Sequence, residues 1–311
     1  MNSSEEDHGE EKAVKEEWYI YMLKIFVTIF GILGCAFVLF TIMKRKSLQN
    51  QNGIFIFSVC LSDFVQAVIL MPINLASEFN LAWPLSQTAC DIVGSLTVSL
   101  MTVSVYSILG MNIDKTLAIV FPFKYQTYFS VKVVIMVCFS IWIISLTAIF
   151  GGIMVVGGEY VPDNGHCMPD FLKIPQLFVL FAVILLFAII TIGLMNVVNL
   201  VVAWRQSKKI SDLVKEDVSV IATIRKGLIT TSLLVMGMYL TWSPTIILLL
   251  LEFSLNKHAP KWLENSHIWL QFSNSTLNIS IYIIRMKHFR RELQRLFGCG
   301  KSSGDHDSTN T

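Results

Sequence analysis

The stretch Ile54–Ile73, IFIFSVCLSDFVQAVILMPI, decides the fold. It is apolar along its whole length except for a few small polar residues and one acid, Asp63. About 20 residues of this character, at ~1.5 Å per residue, match the ~30 Å hydrocarbon core of a bilayer. An isolated ionisable group in hydrocarbon costs several kcal/mol, so Asp63 is expected to face the interior of a helix bundle and to find partners there. Candidate partners lie in two other apolar stretches: Ser104 in one, and Asn274, Ser275 and Asn278 in another.

Working outward, seven stretches are long and apolar enough to span a bilayer, near 18–43, 52–77, 88–120, 131–157, 173–204, 222–253 and 262–284. A composition of 54% hydrophobic and 15% charged residues excludes an ordinary soluble globular domain. Backbone groups in lipid must be satisfied within the segment, so the spans are helices. The expected loops are short, about 44–51, 80–87, 121–130, 158–172, 205–221 and 254–261, which leaves no room for a soluble domain. There is no internal repeat of the kind many transporters carry, and an odd number of spans gives no equal halves.

Orientation follows from the basic residues. With the N-terminus outside, 18 of the 24 Lys and Arg residues fall on the cytoplasmic side, among them Lys44, Lys115, Lys209, Arg285 and Arg295. The net charge of +2 conceals this asymmetry and gives no reason to expect nucleic-acid binding. Residues 1–17 form an acidic, polar N-terminus without the pattern of a cleavable signal peptide, so the first span is expected to serve as its own insertion signal. Asn2-Ser3-Ser4 is a glycosylation sequon on the outer side. Asn274-Ser275-Thr276 and Asn278-Ile279-Ser280 match the same pattern inside the last span, out of a transferase's reach.

Topology also prunes the six cysteines. Cys35, Cys60 and Cys138 fall within the bilayer and Cys299 in the cytoplasm, which leaves Cys90 and Cys167 to share an oxidising compartment and pair. After the seventh span, Arg285–Phe297 (RMKHFRRELQRLF) gathers Met286, Phe289, Leu293, Leu296 and Phe297 on one side, with basic residues around the rest. Such a helix lies flat at a membrane surface and binds anionic lipid. Cys299 just beyond it is either a palmitoylation site or an unmodified thiol. The expected division is an N-terminus over 1–17, a bundle over 18–285, an amphipathic eighth helix over 286–298 and a tail over 299–311.

An ordered set of landmarks carries a family resemblance. It comprises Leu61-Ser62-Asp63 in the second span, Trp83 seven residues before Cys90, and Asp114-Lys115-Thr116 at the inner end of the third span. Pro122, Trp142 in the fourth span, Thr241-Trp242-Ser243-Pro244 in the sixth and Asn278-Ile279-Ser280-Ile281-Tyr282 in the seventh complete it. Over nearly its whole length the chain resembles the rhodopsin-like (class A) G protein-coupled receptors. The implied fold is all-α, a seven-transmembrane helix bundle with a short amphipathic cytoplasmic eighth helix.

The resemblance implies a buried switch of Asp63, Ser104, Asn274, Ser275, Asn278 and Tyr282 beneath Trp242. A hard cation wants oxygen ligands, and one carboxylate with hydroxyl and amide oxygens supplies them, so Asp63 and Ser104 are candidate ligands of an allosteric sodium ion. Otherwise Asp63 is a protonated, hydrogen-bonded acid without an ion. No cofactor is required, and no reaction is implied: the sequence has no metal-ligating His/Cys cluster, phosphate loop or nucleophile–base pair. Trp242 stands two residues before Pro244, whose ring removes a backbone bond and kinks the helix. It reads either as a coupling ring between ligand and kink or as ordinary core packing. Asp114, Lys115 and Phe123 would meet a G protein. Family members usually carry arginine where Lys115 stands; lysine keeps the charge but loses the planar multi-donor fork.

Other departures are Cys35 for asparagine, Ile279 for the proline of the seventh-span motif, Met238 for phenylalanine, and Ile224 where an acid is usual. The fifth span lacks its usual proline. These changes motivate an alternative reading, a coupling-impaired decoy or a heterodimer partner for other receptors. An ion or solute transporter using Asp63 is a third, to be identified by flux. The ligand pocket would be lined by Glu78, Thr97, Leu100, Met101, Trp242, Glu252, Glu264, Ile268, Gln271 and Phe272. Thr97 occupies the position of the aspartate that binds biogenic amines in the family, and Phe272 that of the retinal-binding lysine. Glu78, Asp91, Glu252 and Glu264 near the rim suggest a negative mouth that steers a basic peptide or cationic small molecule, or simply a solvated face. The expected place is the plasma membrane, with the N-terminus extracellular and the C-terminus cytoplasmic. The expected partners are an extracellular ligand, a heterotrimeric G protein and membrane lipids.

Overall fold

A computed structural model describes the backbone over 3–80, 83–121, 129–161, 166–169, 173–213, 218–249 and 261–296, with Tyr125 and Leu251. Side chains are described from Trp18 onward, except across 206–226, 261–265 and a few single positions. Helix α1 runs Ser3–Lys44 and α2 Gln51–Val65. The Asn50 side chain starts α2 by accepting the Gly53 N–H at 3.0 Å, one of the donors that a helix N-terminus leaves unpaired. A π-helical turn over Gln66–Leu70 then leads into α3, Met71–Asn80, so the second span is one continuous rod with a bulge. Pro72 has no N–H to donate, and the turn before it widens so that Met71 N–H reaches back five residues to Gln66.

The third span is α4, Gln87–Val120, capped by Ser86 onto the Ala89 N–H. The fourth is α5 (Val131–Ile144) and α6 (Phe150–Val156), joined by a second π turn over Ser145–Ile149. An antiparallel hairpin follows, β1 Gly158–Val161 and β2 His166–Pro169. The chain then forms α7 (Pro175–Leu213), α8 (Val218–Leu249), α9 (Lys261–Arg285) and α10 (Lys287–Leu296).

Among the described residues, six helical segments meet the length and apolarity needed to cross a membrane. Helix α9 is the seventh, more polar because Asn274, Ser275 and Asn278 turn inward and are buried. The most apolar window of α4 is 78% buried against 17% for the fourth span, which makes α4 the axis and the fourth span a lipid-facing wall. Trp142 anchors that wall, donating its indole N–H to Ser58, which in turn bonds Ser107 of α4. Helices α1 and α9 touch at Gly34, where a Cβ would sit 2.7 Å from Ile279 Cγ2; only glycine admits the branched side chain there.

Helix continues past the ends of some expected spans. The loop placed at 205–221 is helical up to Leu213 and again from Val218, because RQSKKISDL contains no glycine or proline to stop a helix leaving the bilayer. The first helix begins at Ser3, and its apolar, membrane-length part, Trp18–Lys44, lies where the first span was placed. Helix α10 lies where the amphipathic pattern put it. Phe289 is fully buried, with its ring near Phe37 and Tyr282, and Arg45 pairs with Glu292.

Candidate functional site: a polar thread between a tied end and an open end

Asp63 is buried midway through the bundle at the end of α2. Ser104 of α4 donates to its Oδ1 at 3.1 Å, and Asn278 of α9 donates to its Oδ2 at 3.5 Å, with Ser275 also in hydrogen-bonding reach. Three helices thus converge on one carboxylate. Asn274, one turn above Asn278, accepts a bond from Thr241 of α8 at 3.4 Å, which draws in the proline-containing helix. Asn278 Oδ1 and the Tyr282 hydroxyl are buried without a hydrogen-bond partner among the described residues. A buried acceptor left unpaired costs roughly 1–3 kcal/mol. Cys35 and Cys60 are buried neighbours beside this thread.

Above the thread, Leu100, Met101, Trp242, Ile268 and Phe272 share one apolar cluster with Met238. Thr97 is buried nearby, with its hydroxyl turned back onto the Val93 carbonyl at 2.7 Å. Gln271 donates to Thr245 at 2.8 Å, tying α9 to α8.

Toward the disulfide, Glu78 does not stand as a free rim charge. Its two oxygens accept from the Lys24 ammonium and the Trp269 indole, and the ammonium also lies 5.1 Å from the Trp269 ring centre. With side chains only 15% and 9% exposed, Lys24 and Glu78 form a shielded ion pair that ties α1, α3 and α9 together. Asp91 is similarly committed: its Oδ1 accepts the Gly158 N–H at 2.7 Å and the Gln87 side chain at 3.0 Å, locking the hairpin onto α4. Gly157 has φ +82°, the backbone conformation that favours glycine, just where the chain turns into that hairpin. Cys90 and Cys167 are disulfide-bonded, as the topology required. Sequence reasoning missed Lys24 and Trp269. The available signal was a basic and an acidic residue buried near the same ends of their apolar stretches.

At the opposite, basic end, the Asp114 carboxylate lies 3.7 Å from Lys115 and accepts the Tyr125 hydroxyl at 2.7 Å. Burial first, and this acidic acceptor second, hold the Tyr125 phenol above its ordinary pKa, so it stays a donor at physiological pH. A cavity of about 630 Å³ opens here, lined by residues including Asp114, Lys115, Tyr125, Leu228 and Phe289. Phe123, Asn2, Cys299 and Glu252 lie outside the described residues, as do the side chains of Glu264 and Ile224.

Comparison with known proteins agrees with this architecture. Residues 34–282 match the family model for 7 transmembrane receptors (rhodopsin family). Melatonin receptor type 1A-A of Danio rerio is 27% identical over 95% of this chain and 86% of its own length. Melatonin receptor type 1A of Phodopus sungorus is 25% identical over 93% and 83%, and trace amine-associated receptor 4 of Rattus norvegicus 23% over 89% and 84%. With the bundle, the disulfide and a match over most of its length, the chain belongs to the rhodopsin family of seven-transmembrane receptors, a family of receptors and not of enzymes.

Proposed function

We propose that this receptor turns the binding of an extracellular ligand into activation of a heterotrimeric G protein at its basic end. The observation that carries the reading is the set of hydrogen bonds joining α2, α4, α8 and α9 at Asp63, Ser104, Asn278, Asn274 and Thr241, between the Trp242 cluster and a cavity beside Lys115. The disulfide end faces outside and the basic end the cytoplasm, in keeping with the distribution of Lys and Arg. Pro244 weakens the backbone of α8 near Trp242, so the helix can swing at its inner end while its outer end stays docked. Asp63, Ser104 and Asn278 would hold a sodium ion, whose charge would favour the closed arrangement of α4 and α9. The outward face of α10 rests on anionic lipid.

The favoured ligand is an uncharged molecule with an apolar body. Lys24 neutralises Glu78, Asp91 is spent on the hairpin, and Thr97 offers no counter-ion. The similarity to receptors named for melatonin is in keeping with this choice, and that to a receptor named for trace amines with the cationic reading. A basic peptide or cationic small molecule is the second reading and rests on Glu252 and Glu264. Lys115 and Ile279 motivate another class, a decoy or partner receptor with weak coupling.

G protein activation in cells, across the subtypes and at matched surface expression, separates these readings. Wild type is expected to activate at least one subtype, and Lys115→Arg to raise that activity several-fold by restoring a multi-donor fork. Activity confined to the arginine variant would favour the decoy.

A further inference from the structure

Beside the larger opening at the basic end lies a second cavity of about 260 Å³. Lys115 of α4, Arg285 at the end of α9, and Lys287 and His288 in the first turn of α10 line it, with Asn52 and Thr230 adding hydrogen-bonding groups. Three basic side chains, Lys115, Arg285 and Lys287, therefore line one small space. The single acid lining either cavity among the described residues is Asp114, which Lys115 and Tyr125 already engage. Arg285 Nε is buried and has no hydrogen-bond partner among the described residues. The first turn of α10 adds backbone N–H groups with no partner inside their own helix, at its positive pole. Convergent basic side chains and a helix N-terminus on one cavity describe a site suited to an anion with several acceptor oxygens. At 260 Å³ it lies at the lower limit of ordinary ligand pockets and fits a headgroup-sized molecule.

We infer that this cavity binds a phosphate-bearing anion, and that its occupant competes with the G protein for the basic end. The second half rests on the proposed coupling reading; the first does not. The anion is either the headgroup of an inner-leaflet phosphoinositide or a free inositol phosphate, the acceptor chemistry being the same.

Binding is measured on the full chain without G protein. One arm titrates inositol 1,4,5-trisphosphate into detergent-solubilised receptor; the other uses nanodiscs with and without phosphatidylinositol 4,5-bisphosphate. Wild type is expected to bind in at least one arm. Arg285→Gln is expected to weaken binding about tenfold and Lys287→Gln several-fold, with Lys132→Gln, outside the cavity, unchanged. Lys287 is solvent-exposed, so Lys287→Gln keeps the test decisive even if Arg285→Gln fails to fold. Binding in the soluble arm alone identifies a free inositol phosphate, and binding that is confined to nanodiscs or tighter there identifies the lipid headgroup. No binding in either arm, or binding indifferent to both cavity substitutions, overturns the site. Nucleotide-free G protein should then displace the bound anion; failure of that step alone would overturn the competition and leave the site standing.

Discussion

The two ends of the bundle treat charge in opposite ways. At the disulfide end each described acid that was expected to stand free has a structural partner: Glu78 holds Lys24 and Trp269, and Asp91 holds the hairpin backbone. At the basic end Lys115, Arg285 and Lys287 face two cavities in which Asp114 is the one described acid. An end tied by an ion pair, backbone bonds and a disulfide resists deformation. An end with surplus charge around open space is poised to accept a partner. The difference fits a device that keeps its disulfide end fixed and moves its basic end.

Breaking the ties should cost stability in a definite order. Cys90→Ser, or Cys167→Ser, removes a crosslink between residues 77 apart in sequence, and about 2–5 kcal/mol of stability should go with it. Thermal unfolding in detergent reads this, and a variant as stable as wild type would show that the hairpin is held by Asp91 alone. Glu78→Gln leaves a shielded ammonium uncompensated and should cost about 3 kcal/mol or slightly less. Adding Lys24→Met should recover most of that loss. A double variant no better than Glu78→Gln would mean that Trp269, not the ion pair, makes the tie. The smallest effect belongs to the basic end: Arg45→Ala removes a half-exposed partner of Glu292 and should change stability by less than ~1 kcal/mol. A large loss there would erase the contrast between the ends.

The spans, the disulfide and the amphipathic α10 were legible because each rests on local composition or on a single topological constraint. The gathering of Asp63 with Ser104 and Asn278 was legible too, since an acid in hydrocarbon demands polar neighbours and few are on offer. What stayed hidden depends on distant contacts. Glu78 meets Lys24 across 54 residues and Trp269 across 191, and no periodicity encodes such meetings. The four acids near the rim therefore read as a charged mouth, although two of them are spent on structure. The π turns were hidden for another reason: a widened turn before Pro72 changes which carbonyl accepts, not which residues are apolar. The helical ends of α7 and α8 beyond the bilayer were missed because hydropathy marks the membrane, not the end of the helix.

Spin-label distances test the contrast most directly. One pair sits at the basic end, on Val120 of α4 and Gly227 of α8, where no atom would crowd an added side chain at Gly227. The other sits toward the disulfide end, on the lipid-facing Phe79 of α3 and Leu270 of α9. On adding nucleotide-free G protein of each class in turn, the Val120–Gly227 distance should lengthen with at least one class while Phe79–Leu270 stays fixed. An unchanged inner distance with every class, or movement confined to the outer pair, would contradict the account.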